Sequence, residues 1–287
     1  MYAVTGITGK VGGALARALL DDRQPVRAVL RDPGKARSWA ELGCEIAVAE
    51  MTNASALTAA FAGADGVFIL PPPEFDPAPG FPEARAVIDA VCTALERARP
   101  HKVVYLSTIG AQASETNLLT QHTLLESALS ELETPVTFLR PAWFMENFTW
   151  DLPRARDEGV LESFLQPLDR RVPMIATVDI GLVAAELIQE QWNGRRIVEL
   201  EAEQRISPEE AAATFARVLG RAVEARTVPR ASWATLFRSQ GMKNPEPRIR
   251  MLDGFNEGWI GFEGGDVRKG PTSLETVLRG LVAQRAC

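Results

Sequence analysis

The chain has 287 residues, a length that predicts one large domain with a smaller one beside it. Hydrophobic residues make up 46% of the sequence, which is ample for a buried core. The formal net charge is −6 at pH 7 and the pI is about 5.2. This acidity argues against direct binding of nucleic acid or of an anionic membrane, because both favour basic surfaces.

Several other functional classes are also disfavoured. No uncharged apolar run reaches the ~18 residues needed to cross a bilayer. The chain opens on a predicted strand, so no secretory signal is expected. The three cysteines, Cys44, Cys92 and Cys287, are odd in number and form no CxxC pair, which favours a cytoplasmic protein. With two histidines and no cysteine cluster, no metal site is expected.

Apolar segments alternate with amphipathic helices over the first half of the chain. The predicted strands are 2–5, 26–30, 44–48, 66–70, 102–107 and 135–140. The predicted helices are 11–21, 34–41, 54–62, 83–98 and 119–131. This alternation is typical of an α/β fold, with a doubly wound parallel sheet in the order 3-2-1-4-5-6 and helices on both faces.

The second half of the chain is less regular. Residues 172–200 are expected to return to the sheet that residues 1–145 build, since a short strand, a helix and another strand follow one another there. Residues 146–171 and 201–287 are assigned to a smaller, mostly helical substrate domain. We expect this domain to cover the carboxyl edge of the sheet.

Within the smaller domain, Ser207-Pro208-Glu209-Glu210 predicts the start of a helix. That helix is predicted over 209–219 and ends at Gly220, a plausible C-cap. The remaining predicted features are helices at 231–239, 246–257 and 273–284 and a glycine-rich loop over 258–270.

A glycine-rich turn follows the first strand directly. Its candidate cofactor-binding residues are Gly6, Thr8, Gly9, Lys10, Val11 and Gly12. Glycines let the backbone approach a pyrophosphate, and the helix that follows directs free N–H groups at the anion. An ordinary strand-to-helix turn is the alternative. The second strand completes a βαβ unit of ~30 residues, which favours a Rossmann dinucleotide site.

The second strand ends in Arg31-Asp32-Pro33. A guanidinium at this point suits the 2′-phosphate of NADP, whereas an acid would hold the ribose hydroxyls of NAD. We therefore expect NADP(H) to be preferred, with NAD(H) still possible through Asp32. Lys35 and Arg37 are secondary candidates for the same phosphate, but a solvated helix face is the favoured explanation for both.

The other strand ends should border the same ligand, because ligands lie beyond the carboxyl ends of parallel strands. The residues predicted to contact the cofactor there are Glu50, Met51, Leu70, Pro71, Pro72, Ser107, Thr108, Pro141 and Phe144. Each of them also has a structural explanation, as loop, rigid connector or core.

Ketone-reducing short-chain dehydrogenases use a Tyr with a Lys four residues later to move a proton. This chain has two tyrosines, Tyr2 and Tyr105, and neither is followed by such a lysine. His122 and Glu126 share one helix face where that pair would lie. We predict that His122 relays a proton and that Glu126 bonds a ribose hydroxyl. An exposed polar pair without a function is the alternative.

Taken together, these motifs resemble the NmrA-like family of atypical short-chain dehydrogenases. The resemblance spans most of the chain and is carried by Thr5 to Gly12, Val29 to Pro33, His122 with Glu126, Leu139 to Phe148, Val178 to Gly181 and Ile206 to Glu209. It implies NADP binding through the glycine loop and Arg31. The three prolines at 71–73 depart from the smaller residues expected there.

Members of this family include NADPH-dependent quinone reductases, a triphenylmethane dye reductase and redox-sensing regulators, so the resemblance leaves the activity open. The first hypothesis is hydride transfer from NADPH to a planar, electron-poor acceptor such as a quinone, with Trp143, Phe144, Phe148 and Trp150 as apolar surface for it. The alternatives are an NADP(H)-sensing regulator that binds a protein partner and, less well supported, a sugar-nucleotide epimerase.

Overall fold

The computed structural model describes residues 1–285. Its strands are β1 (Tyr2–Val4), β2 (Val26–Leu30), β3 (Glu45–Val48), β4 (Gly66–Ile69), β5 (Lys102–Leu106), β6 (Val136–Pro141), β7 (Trp143–Phe144), β8 (Val160–Ser163), β9 (Met174–Ile175), β10 (Arg195–Ala202), β11 (Glu224–Thr227) and β12 (Asp266–Gly270). Cys287 lies outside the described residues.

The helices alternate with these strands. They are α1 (Lys10–Asp21), α2 (Ala36–Glu41), α3 (Ala54–Phe61), α4 (Pro82–Ala98), α5 (Thr120–Ser130), α6 (Leu152–Glu158), α7 (Thr177–Gln189), α8 (Pro208–Leu219), α9 (Trp233–Ser239), α10 (Glu246–Glu257) and α11 (Leu274–Arg285). Short 3-10 helices occur at Pro33–Lys35, Met145–Thr149 and Arg230–Ser232.

Strands of one parallel sheet form the centre of the molecule, in the order β12-β10-β6-β5-β4-β1-β2-β3. Helices α1 and α7 cover one face, and α3, α4 and α5 cover the other. The predicted fold class and the 3-2-1-4-5-6 order are therefore confirmed. The predicted strands and helices of the first half are present, with boundaries that differ by one or two residues at some ends.

The second lobe lies beyond the carboxyl edge of the sheet. It contains the two-stranded pairs β8–β11 and β7–β9, packed with α6 and α8 to α11 around two further apolar clusters. The predicted start of α8 is confirmed, because the Ser207 hydroxyl accepts the Glu210 N–H at 3.1 Å. In return, the Glu210 carboxylate accepts the Ser207 N–H at 2.9 Å, and Gly220 ends the helix at φ +66°.

The prediction of a loop over 258–270 is wrong in its second half, because residues 266–270 form β12 and pair with β10 at the edge of the sheet. The segment Asp266-Val267-Arg268-Lys269-Gly270 carries little of the apolar character that marks a strand. Ion pairs compensate: Lys269 contacts Glu201 at 2.7 Å and Arg268 contacts Glu190 at 3.1 Å. A charged edge strand of this kind also discourages pairing with other chains.

None of the helices over residues 1–285 is long and apolar enough to cross a membrane. In the same residues, no group of three or more His, Cys, Asp and Glu side chains is arranged to hold a metal ion.

Candidate functional site

The glycine turn after β1 is shaped by contacts that exclude larger residues. Gly6 adopts φ +63°, and a Cβ added there would lie 2.8 Å from the Leu70 side chain. A Cβ on Gly12 would lie 2.7 Å from the carbonyl carbon of Gly6. The Gly9 N–H closes the turn by donating to the Gly6 carbonyl at 2.9 Å. The loop therefore brings bare backbone to the start of α1, as a pyrophosphate cradle requires.

Thr5 holds this turn against the neighbouring strand and was not singled out from the sequence. Its buried hydroxyl donates to the Phe68 carbonyl at 3.0 Å and accepts the Leu70 N–H at 2.8 Å. The loop after β4 is thereby tied to the loop after β1. A Thr or Ser immediately before the first glycine is the sequence signal that could have indicated it.

The first turn of α1 faces solvent with its polar groups free. Thr8, Gly9 and Lys10 are exposed, whereas Val11 and Gly12 are buried beneath the loop. The Lys10 ammonium has no ion-pair partner within residues 1–285. The first N–H groups of a helix also lack carbonyl partners within it. Together these donors give the cradle a net positive potential.

Arg31, at the end of β2, is exposed and makes no hydrogen bond or ion pair with any described residue. The neighbouring Asp32 carboxylate accepts the Gly34 N–H at 2.9 Å, which caps the 3-10 helix that follows. Lys35 is exposed and likewise unpaired across residues 1–285. Arg37 differs, because its Nε donates to Glu41 at 2.8 Å.

The residues after β3 and β4 occupy the same edge of the sheet. Glu50 is exposed, and Met51 packs partly against the core under α3 and α4. Leu70 packs against the glycine loop, Pro71 is half-buried and Pro72 is exposed. All five lie near the edge where the cofactor was predicted, and their contacts with it remain a prediction.

A buried polar network lies between β5, α5 and β6. Ser107 donates its hydroxyl to Glu126 Oε1 at 2.5 Å. The Arg140 guanidinium grips the same carboxylate through Nε at 2.9 Å and Nη2 at 2.6 Å. Burial acts to lower the pKa of Arg140, but the hydrogen bonds and charge of Glu126, followed by those of Glu263, raise it instead. The contact between Arg140 and Glu126 is bidentate.

This network involves two residues that were predicted to bind the cofactor, Ser107 and Glu126. Both carboxylate oxygens of Glu126 accept hydrogen bonds from protein donors and the residue is only 8% exposed. Its bond to a ribose hydroxyl stays a prediction. The Ser107 hydroxyl hydrogen is directed to Glu126 rather than to a ligand. Thr108 is half-buried and its hydroxyl makes no hydrogen bond with the described residues, so it is the better candidate of that pair.

His122 lies on the same helix and has a different surrounding. Its Nδ1 is 2.7 Å from the hydroxyl of Tyr105, whose side chain is fully buried in β5. Burial lowers the pKa of His122 to about 4, and burial followed by the charge of Glu126 raises the pKa of Tyr105. The imidazole is neutral at pH 7 and carries one ring proton. Its part in a proton relay stays a prediction.

The aromatic residues after β6 pack mainly into the protein. Trp143 meets Phe255 edge to face, with ring centroids 5.2 Å apart, and Phe148 meets Phe215 in the same way at 5.7 Å. Phe144 is half-buried against the core below α1. Pro141 is buried in β6, where its carbonyl accepts the Ile109 N–H at 2.9 Å.

Two other aromatic side chains are largely exposed to solvent. Trp150 is 82% exposed and Phe75, in the loop after β4, is 64% exposed. The sequence indicated Trp150 as apolar surface, while Phe75 was hidden within the proline-rich segment.

The second lobe is fastened to the sheet by two sets of contacts. Arg140 Nη1 contacts Glu263 at 2.5 Å, and the Glu199 carboxylate accepts the N–H groups of Glu263 and Gly264 at 2.6 and 2.9 Å. On the other side, the Asp76 carboxylate accepts the N–H groups of Lys243 and Asn244 at 2.8 and 2.7 Å. Arg140 and Glu199 are paired neighbours on β6 and β10, and Asp76 lies in the loop after β4.

Fold and site define a dinucleotide-binding α/β protein of the short-chain dehydrogenase type. Residues 2–246 match the NmrA-like family, and the chain belongs to it.

Individual relatives agree with this assignment. The chain is 25% identical over 244 residues to quinone oxidoreductase 2 of Escherichia coli strain K12, a match that covers 84% of this chain and 82% of the relative. It is 29% identical over 262 residues to an NAD(P)H azoreductase of Xenophilus azovorans, covering 90% and 85%.

A solved structure shows the same fold. The NADPH-dependent quinone oxidoreductase of Escherichia coli, in complex with NADPH, superposes with a TM-score of 0.83 and 22% identity, covering 98% of this chain and 100% of the other. At that identity, the likeness speaks for the fold alone.

Proposed function

We propose that this protein is an NADPH-dependent reductase that transfers a hydride to a quinone or a similar planar, electron-poor acceptor. Family membership and the related quinone and azo reductases support the reaction class. The observation that carries the proposal is the glycine loop, because Gly6 and Gly12 leave no room for a Cβ and so keep the backbone open to a pyrophosphate.

The residues of the loop fit a dinucleotide. The exposed backbone from Thr8 to Lys10 and the N-terminus of α1 would hold the pyrophosphate. Arg31, free of protein partners among the described residues, favours a phosphorylated adenosine, while Asp32 is occupied by the Gly34 N–H. The other residues proposed to contact the cofactor are Glu50, Met51, Leu70, Pro71, Pro72, Thr108, Pro141 and Phe144.

When bound, NADPH supplies a hydride. A quinone accepts hydride readily, and its oxygen then takes a proton from water. The protein need not provide the acid, which agrees with the burial of Tyr105 and the neutral state of His122. In this proposal His122 fixes the Tyr105 hydroxyl and leaves the proton to solvent.

The acceptor class rests on exposed aromatic surface at the edge of the site. Trp150 and Phe75 offer open ring faces, and Phe144 is half-buried close to the end of β6. Flat aromatic faces suit a planar acceptor, since offset stacking adds ~0.5–1.5 kcal/mol to area burial. Trp143 and Phe148 contribute by closing the core behind that surface.

The test is a two-stage titration of purified, nucleotide-free protein. NADPH and NADH are first titrated without acceptor, and a panel of benzoquinones, naphthoquinones and azo dyes is then added while NADPH absorbance is followed. We expect tighter binding of NADPH than of NADH, followed by NADPH oxidation with the quinones.

The matched variants are Gly12→Val and Gly280→Ala. The first fills the cradle and should abolish both binding and turnover. The second adds a methyl group with no atom within 4 Å and should leave both unchanged. Tight NADPH binding without oxidation by any acceptor would instead support the sensing regulator.

A further inference from the structure

Arg248, in the first turn of α10, is a half-buried cation without an anionic partner. Its one hydrogen bond among the described residues runs from Nη1 to the Met242 sulfur at 3.8 Å. Its guanidinium carbon lies 4.4 Å from the centre of the Phe237 ring. No carboxylate within residues 1–285 forms an ion pair with it. A half-buried guanidinium ordinarily has such a partner, because a charged group loses free energy when water is removed from it.

Two neighbouring arginines are neutralised by carboxylates. Arg230 donates to both oxygens of Asp253, at 2.6 and 2.8 Å, and these hydrogen bonds raise its pKa. Arg250 is paired with Glu115 at 3.4 Å and with Asp253 at 3.5 Å. Arg248 differs from both, because burial lowers its pKa and no charge among the described residues opposes that shift.

Contacts on both sides place the start of α10 among the strand-end loops. The Asn244 N–H donates to Asp76, in the loop after β4, at 2.7 Å. The Pro247 carbonyl accepts the N–H of Leu118, in the loop after β5, at 2.8 Å. Both loops leave the carboxyl ends of parallel strands, which is the edge where cofactor and acceptor are proposed to bind.

One face of α10 leads from Arg248 to the aromatic residues after β6. Arg248, Met251 and Phe255 are three and four residues apart, so they follow one side of the helix. Phe255 meets Trp143 edge to face, with ring centroids 5.2 Å apart, and both Met251 and Trp143 are half-buried. About two helical turns, or ~10 Å along the axis, separate Phe255 from Arg248. This spacing favours an extended, two-ring ligand between the aromatic residues and the guanidinium.

We propose that Arg248 binds an anionic substituent, a carboxylate or a sulfonate, at the far end of an extended aromatic acceptor. The inference rests on the proposed function, because it presumes that an acceptor lies at the carboxyl edge of the sheet. It gives this chain a preference for acceptors with an acidic group over uncharged acceptors of the same shape. The acidic group gains charge-assisted hydrogen bonds from the guanidinium and supplies the neutralising charge that no described residue provides.

Binding of non-reacting probes to the full chain tests the proposal without the reaction. The probes are naphthalene-2-carboxylate, naphthalene-2-sulfonate and the uncharged 2-naphthamide, titrated by calorimetry with and without NADP⁺. We expect both anions to bind at least about tenfold more tightly than the amide, and Arg248→Met to remove this advantage. The affinity for 2-naphthamide should be the same in that variant as in the parent protein. Arg248→Lys, which keeps the charge, should retain part of the preference.

Arg250→Met is the matched control. Arg250 lies on the same helix and over an aromatic ring, that of Trp259 at 5.4 Å, but it is paired with carboxylates. Its loss should preserve the preference for the anions. Urea unfolding shows that the variants are folded, and Arg248→Met keeps an unbranched stem against Phe237. Equal binding of the three probes to the parent protein would overturn the proposal, as would an equal loss of the preference in Arg250→Met.

Turnover separates this inference from the proposed reaction. NADPH oxidation is measured with 4-(dimethylamino)azobenzene, its 4′-carboxylate and its 4′-sulfonate. Arg248→Met should raise the KM of the two anionic dyes at least about tenfold and leave that of the neutral dye unchanged. Selective binding of the anions without oxidation of NADPH would refute the reaction and leave the subsite standing. Oxidation of NADPH with unchanged KM values in Arg248→Met would refute the subsite alone.

Discussion

The imidazole of His122 shares a 2.7 Å hydrogen bond with the Tyr105 hydroxyl, and burial lowers its pKa to about 4. An unfolded histidine has a pKa near ~6.5. Between about pH 6.5 and 4 the unfolded state therefore binds a proton at this residue and the folded state does not. Stability is therefore lost as the pH falls from about 6.5 towards 4, by up to ~3 kcal/mol.

The first prediction concerns the protonation state of His122. Imidazole resonances followed by NMR from pH 8 to 5 should show His122 as a neutral ring throughout. The chain has one other histidine, His101, which is exposed, and His101→Gln identifies its signal. Protonation of His122 with a midpoint above pH 6 would contradict the prediction and reopen its role as an acid.

The effect of Asp151 on the pH dependence of stability has the opposite sign to that of His122. Burial, followed by the charge of Glu162, raises its pKa to about 7. Between about pH 4 and 7 the folded state holds a proton that the unfolded state has released, so this residue lowers stability as the pH rises through that window. The two residues therefore oppose one another in mildly acidic solution.

The second prediction follows from this sign. The stability of Asp151→Asn relative to the parent protein should increase by ~2–3 kcal/mol from pH 5 to pH 8, because the amide does not ionise. Urea unfolding at both pH values measures the change. Asp157→Asn on the same helix is the control: Arg156 lowers the pKa of Asp157, so that variant should not gain. An equal effect of Asp151→Asn at both pH values would argue against a buried carboxyl group with a raised pKa.

Close approach of two helices organises one face of the sheet. A Cβ on Gly181 of α7 would lie 2.5 Å from the Ala14 Cβ and 2.8 Å from the backbone of Leu15 in α1. The contact is possible because small residues face each other at the crossing. The sequence placed Gly181 within a family motif without indicating what it touches.

The third prediction is that Gly181→Ala destabilises the protein by ~1–3 kcal/mol through overpacking, despite the better helix propensity of alanine. The free energy of unfolding in urea reports this loss. Gly280→Ala in α11 is the matched control, since it meets no atom within 4 Å and should gain up to ~1 kcal/mol. Equal gains in both variants would mean that α1 and α7 are further apart.

The ion pair between β6 and α5 also acts between elements. Arg140 is 4% exposed and Glu126 8% exposed, so each depends on the other for neutralisation. The fourth prediction is that Arg140→Met costs ~3–5 kcal/mol by leaving a buried carboxylate unpaired. Adding Glu126→Leu should restore much of it.

The control for this prediction is an ion pair exposed on the protein surface. Arg154→Met breaks surface pairs with Glu158 and Glu162, each worth at most ~1 kcal/mol. Denaturant unfolding of the three variants and the parent protein measures these costs. If Arg140→Met costs no more than Arg154→Met, water must reach Glu126, which would strengthen Glu126 as a candidate for the ribose.

At the scale of the whole molecule, the second lobe is fixed over the strand ends from two sides. Asp76 receives two backbone N–H groups from the α9–α10 connection, and Glu199 receives two from the loop before β12. Carboxylates that accept backbone N–H groups hold loops without requiring particular side chains on the partner segment. Both tethers start beside the proposed acceptor surface.

The fifth prediction concerns the first of these tethers. Asp76→Ala should speed proteolytic cleavage around residues 240–245 and lower kcat/KM for the acceptor, while the Kd for NADPH stays unchanged. Asp266→Ala, in the exposed edge strand β12, is the control for loss of a surface carboxylate. Unchanged proteolysis in Asp76→Ala would show that the lobe is held by its apolar packing alone.

The sequence by itself determined the α/β fold and the position of the glycine loop. Local patterns are sufficient there, because the spacing of apolar residues predicts the buried strands and the amphipathic helices. Gly6 and Gly12 also occupy the positions that a phosphate-binding turn requires. The edge strand β12 was not predicted from the sequence, because ion pairs take the place of apolar residues in it.

Only the tertiary structure decided which polar side chains are available to a ligand. Ser107, Glu126 and Arg140 lie 19 and 14 residues apart in sequence, yet they close into one buried network. Lys35 and Arg37 are two residues apart, yet Arg37 is paired to Glu41 and Lys35 has no partner among the described residues. Pairing and burial depend on three-dimensional neighbours, which spacing along one chain does not encode.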